Sequence, residues 1–170
     1  MKLDVGCGNF PSGDVNCDLF INDVGHRTGK VNIRSPSLDP KKIKNFVLCD
    51  VQYPPFRDSV FDEVYSSHII EHVRNPYLFL KEMIRISKDK IVILCPHRLG
   101  DRLQGGRNNP YHLHFLNKKW FFKQLKNFKV AYNIDYTQFF HVPFGLISLV
   151  RLPLEMRVEI RKCSVLRNKK

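Results

Sequence analysis

Between Lys90 and Pro96 five apolar residues, Ile91-Val92-Ile93-Leu94-Cys95, follow one another without interruption. A run this short, bounded by charge and by proline, reads as a strand buried on both faces. The stretch before it has a different period. Asn75 is a good helix N-cap and Pro76 suits the first helical position. Leu80, Met83, Ile84 and Ile86 are then spaced for one buried helix face. Phe61–Ser66, before that helix, has the texture of another strand. Strand, helix and buried strand in succession predict an α/β fold with a mainly parallel sheet.

The remaining segments extend this pattern. Leu3–Val5, Asp14–Asp18 and Asn45–Cys49 read as short strands, with an edge strand at Lys30–Arg34. After Pro96 the texture changes. Arg98–Asn109 reads as a Gly/Arg/Asn loop and Asn117–Lys126 as a helix. Phe128–Asn133 and Asp135–Val142 read as an antiparallel pair of strands at the sheet edge. Residues 152–165 read as a basic amphipathic C-terminal helix broken at its start by Pro153. A length of 170 residues fits a single domain, 1–96 carrying one part of the site and 97–170 the other.

Three of the strands end on groups suited to a ligand, and open α/β sheets bind ligands at their carboxyl ends. The first runs into Gly6-Cys7-Gly8, where backbone can approach closely. The second ends on Asp18, placed to accept two ribose hydroxyls, and the third on Asp50, which can pair with an exocyclic amine. Together they describe a nucleoside pocket. Taken alone, the Gly-x-Gly would read as a tight turn.

In this context the sequence resembles the class I S-adenosylmethionine-dependent methyltransferases, in their small type 11-like branch. Leu3-Asp4-Val5-Gly6-Cys7-Gly8 matches the first motif. Asp50 through Val64 matches an Asp-x-x-x-x-Pro-Phe-x-x-x-x-Phe-Asp-x-Val stretch. Ser66 through Val73 matches the end of the fourth strand with its Leu-Glu-His turn. Leu80 through Ile86 matches a Leu-x-Glu-x-x-Arg-Val helix. The resemblance spans residues 3 to about 97 and implies a Rossmann-like fold, with helices on both faces of the sheet. It further implies that Asp4, Gly6, Cys7 and Gly8 cradle the methionine part of S-adenosylmethionine and that Asp18 holds the ribose. Asp50 and the backbone of Val51 would face the adenine. Ser66, Ser67 and His68 would line the pocket beside the methyl group, and Glu71 and His72 would brace the loop.

There are departures. Only nine residues separate Gly8 from Asp18, too few for the usual helix, so a bare turn over Phe10–Gly13 is expected. Phe10 replaces the third motif glycine, and Ser87-Lys88-Asp89-Lys90 replaces a Pro-Gly-Gly turn. The sequence begins at the first strand, without the helix that often precedes it.

The same residues admit rival chemistry. His68-Ile69-Ile70-Glu71-His72 is an inverted zincin pattern, which on a helix would place two ligands one turn apart. Here it follows a strand and precedes a helix start. His112-Leu113-His114 puts two imidazoles on one face of an extended segment, for acceptor contact, proton acceptance, structural bonding, or metal binding with His97 or His141. Cys95 stands where some RNA cytosine methyltransferases carry a nucleophile, although cysteine is commonly buried. The Asn/Asp-Pro-Pro-Tyr/Phe loop of amino-methylating DNA enzymes is replaced by Ser66-Ser67-His68-Ile69. The preferred reading has no metal, with His97, His112 or His114 as candidate base. Arg98, Arg102 and Arg107 form a cationic, acceptor-side loop. Val142–Leu154 suits a core strand, a dimer face or an apolar acceptor surface, so a homodimer is allowed.

Charge divides the chain. Residues 1–66 carry 8 basic and 9 acidic side chains, net −1, and residues 67–170 carry 20 and 7, net +13. The excess is spread rather than packed into a tail, so it reads as a surface field that gathers an anionic acceptor, nucleic acid or a small acid. A solubility surface, or a non-catalytic module binding nucleic acid through the basic half, would use the same field. No apolar run is long enough to span a membrane and no signal peptide opens the chain. Five widely spaced cysteines with no CxxC pair suggest reduced thiols. The expected place is the cytoplasm.

Overall fold

The computed structural model describes residues 1–22, 37, 39–103, 111–144 and 148–162, with backbone only at 101–103, 140–144 and 148–151. The strands are β1 (Lys2–Val5), β2 (Val15–Asp18), β3 (Phe46–Leu48), β4 (Phe61–Ser67), β5 (Ser87–Pro96), β6 (Val130–Phe144) and β7 (Ser148–Lys162). The helices are α1 (Pro76–Ile86), α2 (Arg98–Leu103) and α3 (Lys118–Leu125), with a short 3-10 turn at Pro40–Lys42. The strands form one sheet in the order β3-β2-β1-β4-β5-β7-β6. From β3 to β5 neighbours are parallel, and β7 runs antiparallel to both β5 and β6.

Register explains the core. Leu3 pairs with Val15 and Val64, Val64 with Ile91, and Ile91 with Ile160. These side chains share one face of the sheet. On that face they join Phe79, Leu80 and Met83 of α1 and Phe121 and Leu125 of α3 in one buried cluster. Of the helices expected on both faces, α1 and α3 therefore both lie on this one. The described part of the opposite face carries charge instead, with Lys90 Nζ 2.9 Å from Glu63 and Arg161 2.9 Å from Glu159. α1 begins as its sequence predicts: Asn75 caps it, accepting the Leu78 N–H at 3.0 Å, and Pro76 follows.

The C-terminal region differs from its sequence reading. Of the helix expected over 152–165, residues 152–162 belong to strand β7 and 163–165 lie outside the described residues. Leu154, Met156, Val158 and Ile160 alternate strictly with Glu155, Arg157, Glu159 and Arg161, and all four apolar side chains are buried. That is period two, the signature of a half-buried strand, and it overrides the amphipathic look of the composition. The expected pair of short strands is one long strand, β6. It passes through Ile134 without reversing, because Ile134 is buried and the chain turns only after Phe144. Within the expected Arg98–Asn109 loop, Arg98–Leu103 is helical. Residues 104–110, with Arg107 among them, lie outside the described residues, as does the edge strand expected at Lys30–Arg34. The Arg102, His141 and Val142 side chains are likewise not described. No helix of the described residues is long and apolar enough to cross a membrane.

Candidate active site

At the carboxyl end of β1 the chain turns through left-handed backbone at Gly6 (φ 69°) and Gly8 (φ 51°). A Cβ on Gly6 would run into the movable end of the Ile69 side chain, so it is chiefly the left-handed backbone that calls for glycine here. The Gly6 and Cys7 N–H groups donate to the Cys17 carbonyl at 2.8 and 3.0 Å, and the Gly8 N–H to Asp18 Oδ2 at 3.0 Å. Asp18 Oδ1 also accepts the Phe20 N–H at 3.1 Å. Asp18 thus holds the glycine turn against β2.

Asp4 is 3% exposed and accepts both the N–H and the hydroxyl of Ser12 at 2.8 Å. The expected bare turn between β1 and β2 is formed this way, and sequence reasoning missed Ser12 as its anchor. Gly13 lies so close that a Cβ there would meet the Val15 carbonyl oxygen at 2.3 Å.

Asp50, after β3, is half-buried and accepts the Gln52 N–H at 2.8 Å. Gln52 Oε1 in turn accepts the Asn75 N–H at 2.7 Å, which ties this loop to the start of α1. Arg85 closes the other side. Its guanidinium donates to the Phe56 carbonyl at 2.8 Å, to Asp58 at 2.7 Å and to Glu82 at 2.7 Å. Val51 is buried between these anchors. Under the sheet, a Cys17–Cys49 hydrogen bond followed by burial pushes the Cys17 thiol up and keeps it protonated.

β4 ends in a second constellation. Ser66 is fully buried and its hydroxyl has no hydrogen-bond partner among the described residues. His68 has left-handed backbone (φ 54°), an uncommon state for a residue with a Cβ. Its Nε2 lies 2.9 Å from Glu155 Oε2 and its Nδ1 3.4 Å from Glu71 Oε1. Glu71, opposed by desolvation and joined by Glu155, raises the His68 pKa to about 9. The ring is therefore an imidazolium at neutral pH, unsuited to accept a proton. Thr137 donates to Glu155 Oε1 at 2.6 Å. Glu155 is not legible as a site residue because its strand reads as a helix, and Thr137, in a segment read correctly as strand, carries no signal of its own.

The loop after His68 is turn, not helix, so the inverted zincin arrangement does not form. It is sewn to the 111–114 segment. Leu113 and His114 N–H groups donate to the Glu71 carbonyl at 2.9 and 3.2 Å, and His72 Nδ1 donates to the Tyr111 carbonyl at 2.8 Å. Burial lowers the His72 pKa, which keeps the ring neutral. His114 Nε2 lies 3.0 and 3.3 Å from the Val73 and Arg74 carbonyls. His112 stands edge-on to His72, with ring centroids 4.8 Å apart.

The three candidate bases are therefore not gathered at one point. His97 Nδ1 accepts the Leu99 N–H at 3.2 Å as the cap of α2, and its ring also bonds the Pro153 backbone. His114 is tied to carbonyls, and His112 sits with Glu71 and His72. Arg98 is exposed at the start of α2. Cys95, the rival nucleophile, is fully buried opposite Met156 in the core.

The residues fit a nucleoside-bearing cofactor. Open space lies around the Gly8 α-carbon, where a Cβ would have nothing within 4 Å. The Asp18 carboxylate stands beside it, bonded to the Gly8 N–H, and at the end of β4, where Ser66 pairs with Val5, a buried hydroxyl has no partner among the described residues.

Comparison with known proteins agrees. A family model described as a methyltransferase domain matches residues 3–95. No curated protein matches the sequence. Among solved structures, an S-adenosylmethionine-dependent methyltransferase from Thermotoga maritima is 15% identical. It aligns over 95% of this chain and 82% of its own, with a TM-score of 0.67. One from Archaeoglobus fulgidus is also 15% identical, over 95% and 85%, with a TM-score of 0.64. One from Methanosarcina mazei is 18% identical, over 95% and 91%, with a TM-score of 0.56. At such identities these likenesses speak to the fold, and the match over residues 3–95 speaks to the family. The chain belongs to the methyltransferase-domain family, with S-adenosylmethionine as its cofactor.

Proposed function

We propose that this methyltransferase acts on an anionic acceptor that approaches over the ends of β4, β5 and β7. The observation that supports this reading is the distribution of charge. The first 66 residues, net −1, hold the acids of the cofactor side, while the remainder is net +13. Such a field concentrates anions on the acceptor side.

S-adenosylmethionine, when bound, supplies a methyl group already activated by its sulfonium. The chain's own task is then to hold two reactants in line. In this reading Asp18 accepts the ribose hydroxyls, and Asp50 with the Val51 backbone faces the adenine. Gly6, Cys7 and Gly8 lie along the methionine part, and Asp4 acts through Ser12 by fixing the turn beside it. Ser66, Ser67 and His68 line the side toward the methyl group. The exposed Arg98 meets the acceptor's negative charge. His97 and His114 serve the fold, since their rings are engaged with backbone.

Calorimetric titration with S-adenosylhomocysteine should give one binding event that Asp18→Ala with Asp50→Ala abolishes. No heat at millimolar ligand, or wild-type affinity in the double variant, contradicts the pocket. A radiolabelled-methyl screen over RNA, DNA, protein and small molecules should label an anionic class, and less so at high salt. Label only on neutral or cationic acceptors contradicts the acceptor assignment. Salt-sensitive nucleic-acid binding with no label on any acceptor favours the binding module.

A further inference from the structure

One group of side chains is left unused by this account. Glu71, His72 and His112 each present one ligand-type atom, and the three atoms lie within 4.8 Å of one another. The geometry points to a binding site for a divalent first-row transition metal, with Glu71, His72 and His112 as ligands.

Three independent features carry this. Glu71 is 1% exposed, and among the described residues neither of its carboxylate oxygens accepts a hydrogen bond. Leaving such a group buried without partners is costly, and a buried carboxylate is expected to be paired or to hold a metal. His68 Nδ1 is 3.4 Å from Oε1, longer than a good charge-assisted bond. Among the described residues Oε2 has no ion-pair partner. A carboxylate with one oxygen toward each of two cations satisfies both.

The second feature is the orientation of His72. Its Nδ1 donates to the Tyr111 carbonyl at 2.8 Å. That bond fixes the tautomer, with the proton on Nδ1 and Nε2 as the unprotonated ring nitrogen. A backbone carbonyl on the far ring nitrogen is the usual way in which a metal-ligating histidine is held.

The third is how the ligands are held together. They come from two segments about 40 residues apart. The Leu113 and His114 N–H groups clamp onto the Glu71 carbonyl, and the His114 ring lies on the Val73 and Arg74 carbonyls. Two backbone bonds and two ring bonds thus fix the segment that carries His112 beside the one that carries Glu71 and His72. An apolar core cluster would need none of this polar lacing.

Two imidazoles and one carboxylate suit zinc, cobalt, iron or nickel better than calcium or magnesium. Three protein ligands leave coordination positions open. Water or another oxygen ligand would fill them. The metal assignment itself does not depend on the acceptor assignment.

The test uses the full chain, stripped with a chelator and titrated with Co2+ and with Zn2+. One equivalent of Co2+ should bind and give a visible d–d spectrum that Zn2+ then displaces. His112→Ala, at a half-buried position, and the near-isosteric Glu71→Gln should each weaken Co2+ at least about tenfold and change the spectrum. Circular dichroism and thermal melting identify variants that remain folded. An S-adenosylhomocysteine titration of the same preparations separates failure of the metal site from failure of the cofactor pocket. No stoichiometric Co2+ binding by folded wild-type protein at 100 micromolar (about −5.5 kcal/mol) overturns the site. So does binding that a folded His112→Ala and a folded Glu71→Gln both retain unchanged.

Discussion

The two ends of the site are built by different means. At the ends of β1 and β2, the side-chain bonds that shape the glycine turn join near neighbours in sequence. Gly8 bonds Asp18 ten residues on, and Ser12 bonds Asp4 eight residues back. At the end of β4 the bonds span the chain. His68 meets Glu155 across 87 residues, and His72 meets Tyr111 across 39. A site assembled from near neighbours is written into a short stretch of sequence. A site assembled across a sheet depends on strand order and register, and it is lost if those are misread.

The comparison makes the C-terminal strands the first place to press. Met156 is fully buried in β7, between β5 and β6. Met156→Ala should cost about 3 kcal/mol in a denaturant titration. If residues 152–165 were a surface helix, the loss would be far smaller and the long-range half of the comparison would fail. The local half is tested by Gly6→Ala. Left-handed backbone with a Cβ costs about 1–2 kcal/mol, and here the Cβ also strikes Ile69. A melting shift equivalent to about 2 kcal/mol is expected, with loss of S-adenosylhomocysteine binding. Unchanged affinity would show that the glycine turn does not shape the pocket.

A smaller effect sharpens the role of His97. Burial lowers its pKa, with the Lys118 charge acting in the same direction and the Pro153 backbone bond opposing. The fold therefore favours the neutral ring, whereas the unfolded chain takes up a proton near pH 6.5. Its contribution is fully present above that pH and declines as pH falls below it. Melting temperatures between pH 7.5 and 5.5 should fall less steeply in His97→Asn, which keeps a capping side chain. Equal slopes would remove His97 as a buried neutral cap. The smallest effect is expected on the charged face of β7. Arg157, paired with Glu159 at 3.4 Å and partly exposed, should lose less than about 1 kcal/mol on Arg157→Ala. A loss comparable to that of Met156→Ala would mean the two faces of β7 are not as distinct as their alternation implies.

Legibility followed the same division. β1 to β5 and α1 could be read directly because each carries its own signal, such as Asn75-Pro76 for the helix start and the Ile91–Cys95 run for the central strand. Asp18 and Asp50 were visible as the residues that end strands. The β7 strand was also visible in principle, as four apolar residues at every second position. Its charges and Pro153 drew attention to an amphipathic helix, and Glu155 disappeared with it. Ser12 and Thr137 carry no sequence signal at all, because a hydroxyl acquires a role only when folding brings it to a carboxylate. The Glu71–His72–His112 cluster was half visible. His68-x-x-Glu71-His72 suggested metal ligands on one helix, but the chain makes a turn there, and His112 rather than His68 completes the group.

The central claim is that a nucleoside cofactor lies across the carboxyl ends of β1, β2 and β3. A crystal structure of the protein with S-adenosylhomocysteine tests it most directly. The account predicts ribose hydroxyls on Asp18, adenine beside Asp50 and Val51, and the amino-acid end along Gly6–Gly8. Well-ordered ligand elsewhere on the sheet, or none at saturating concentration, would contradict it.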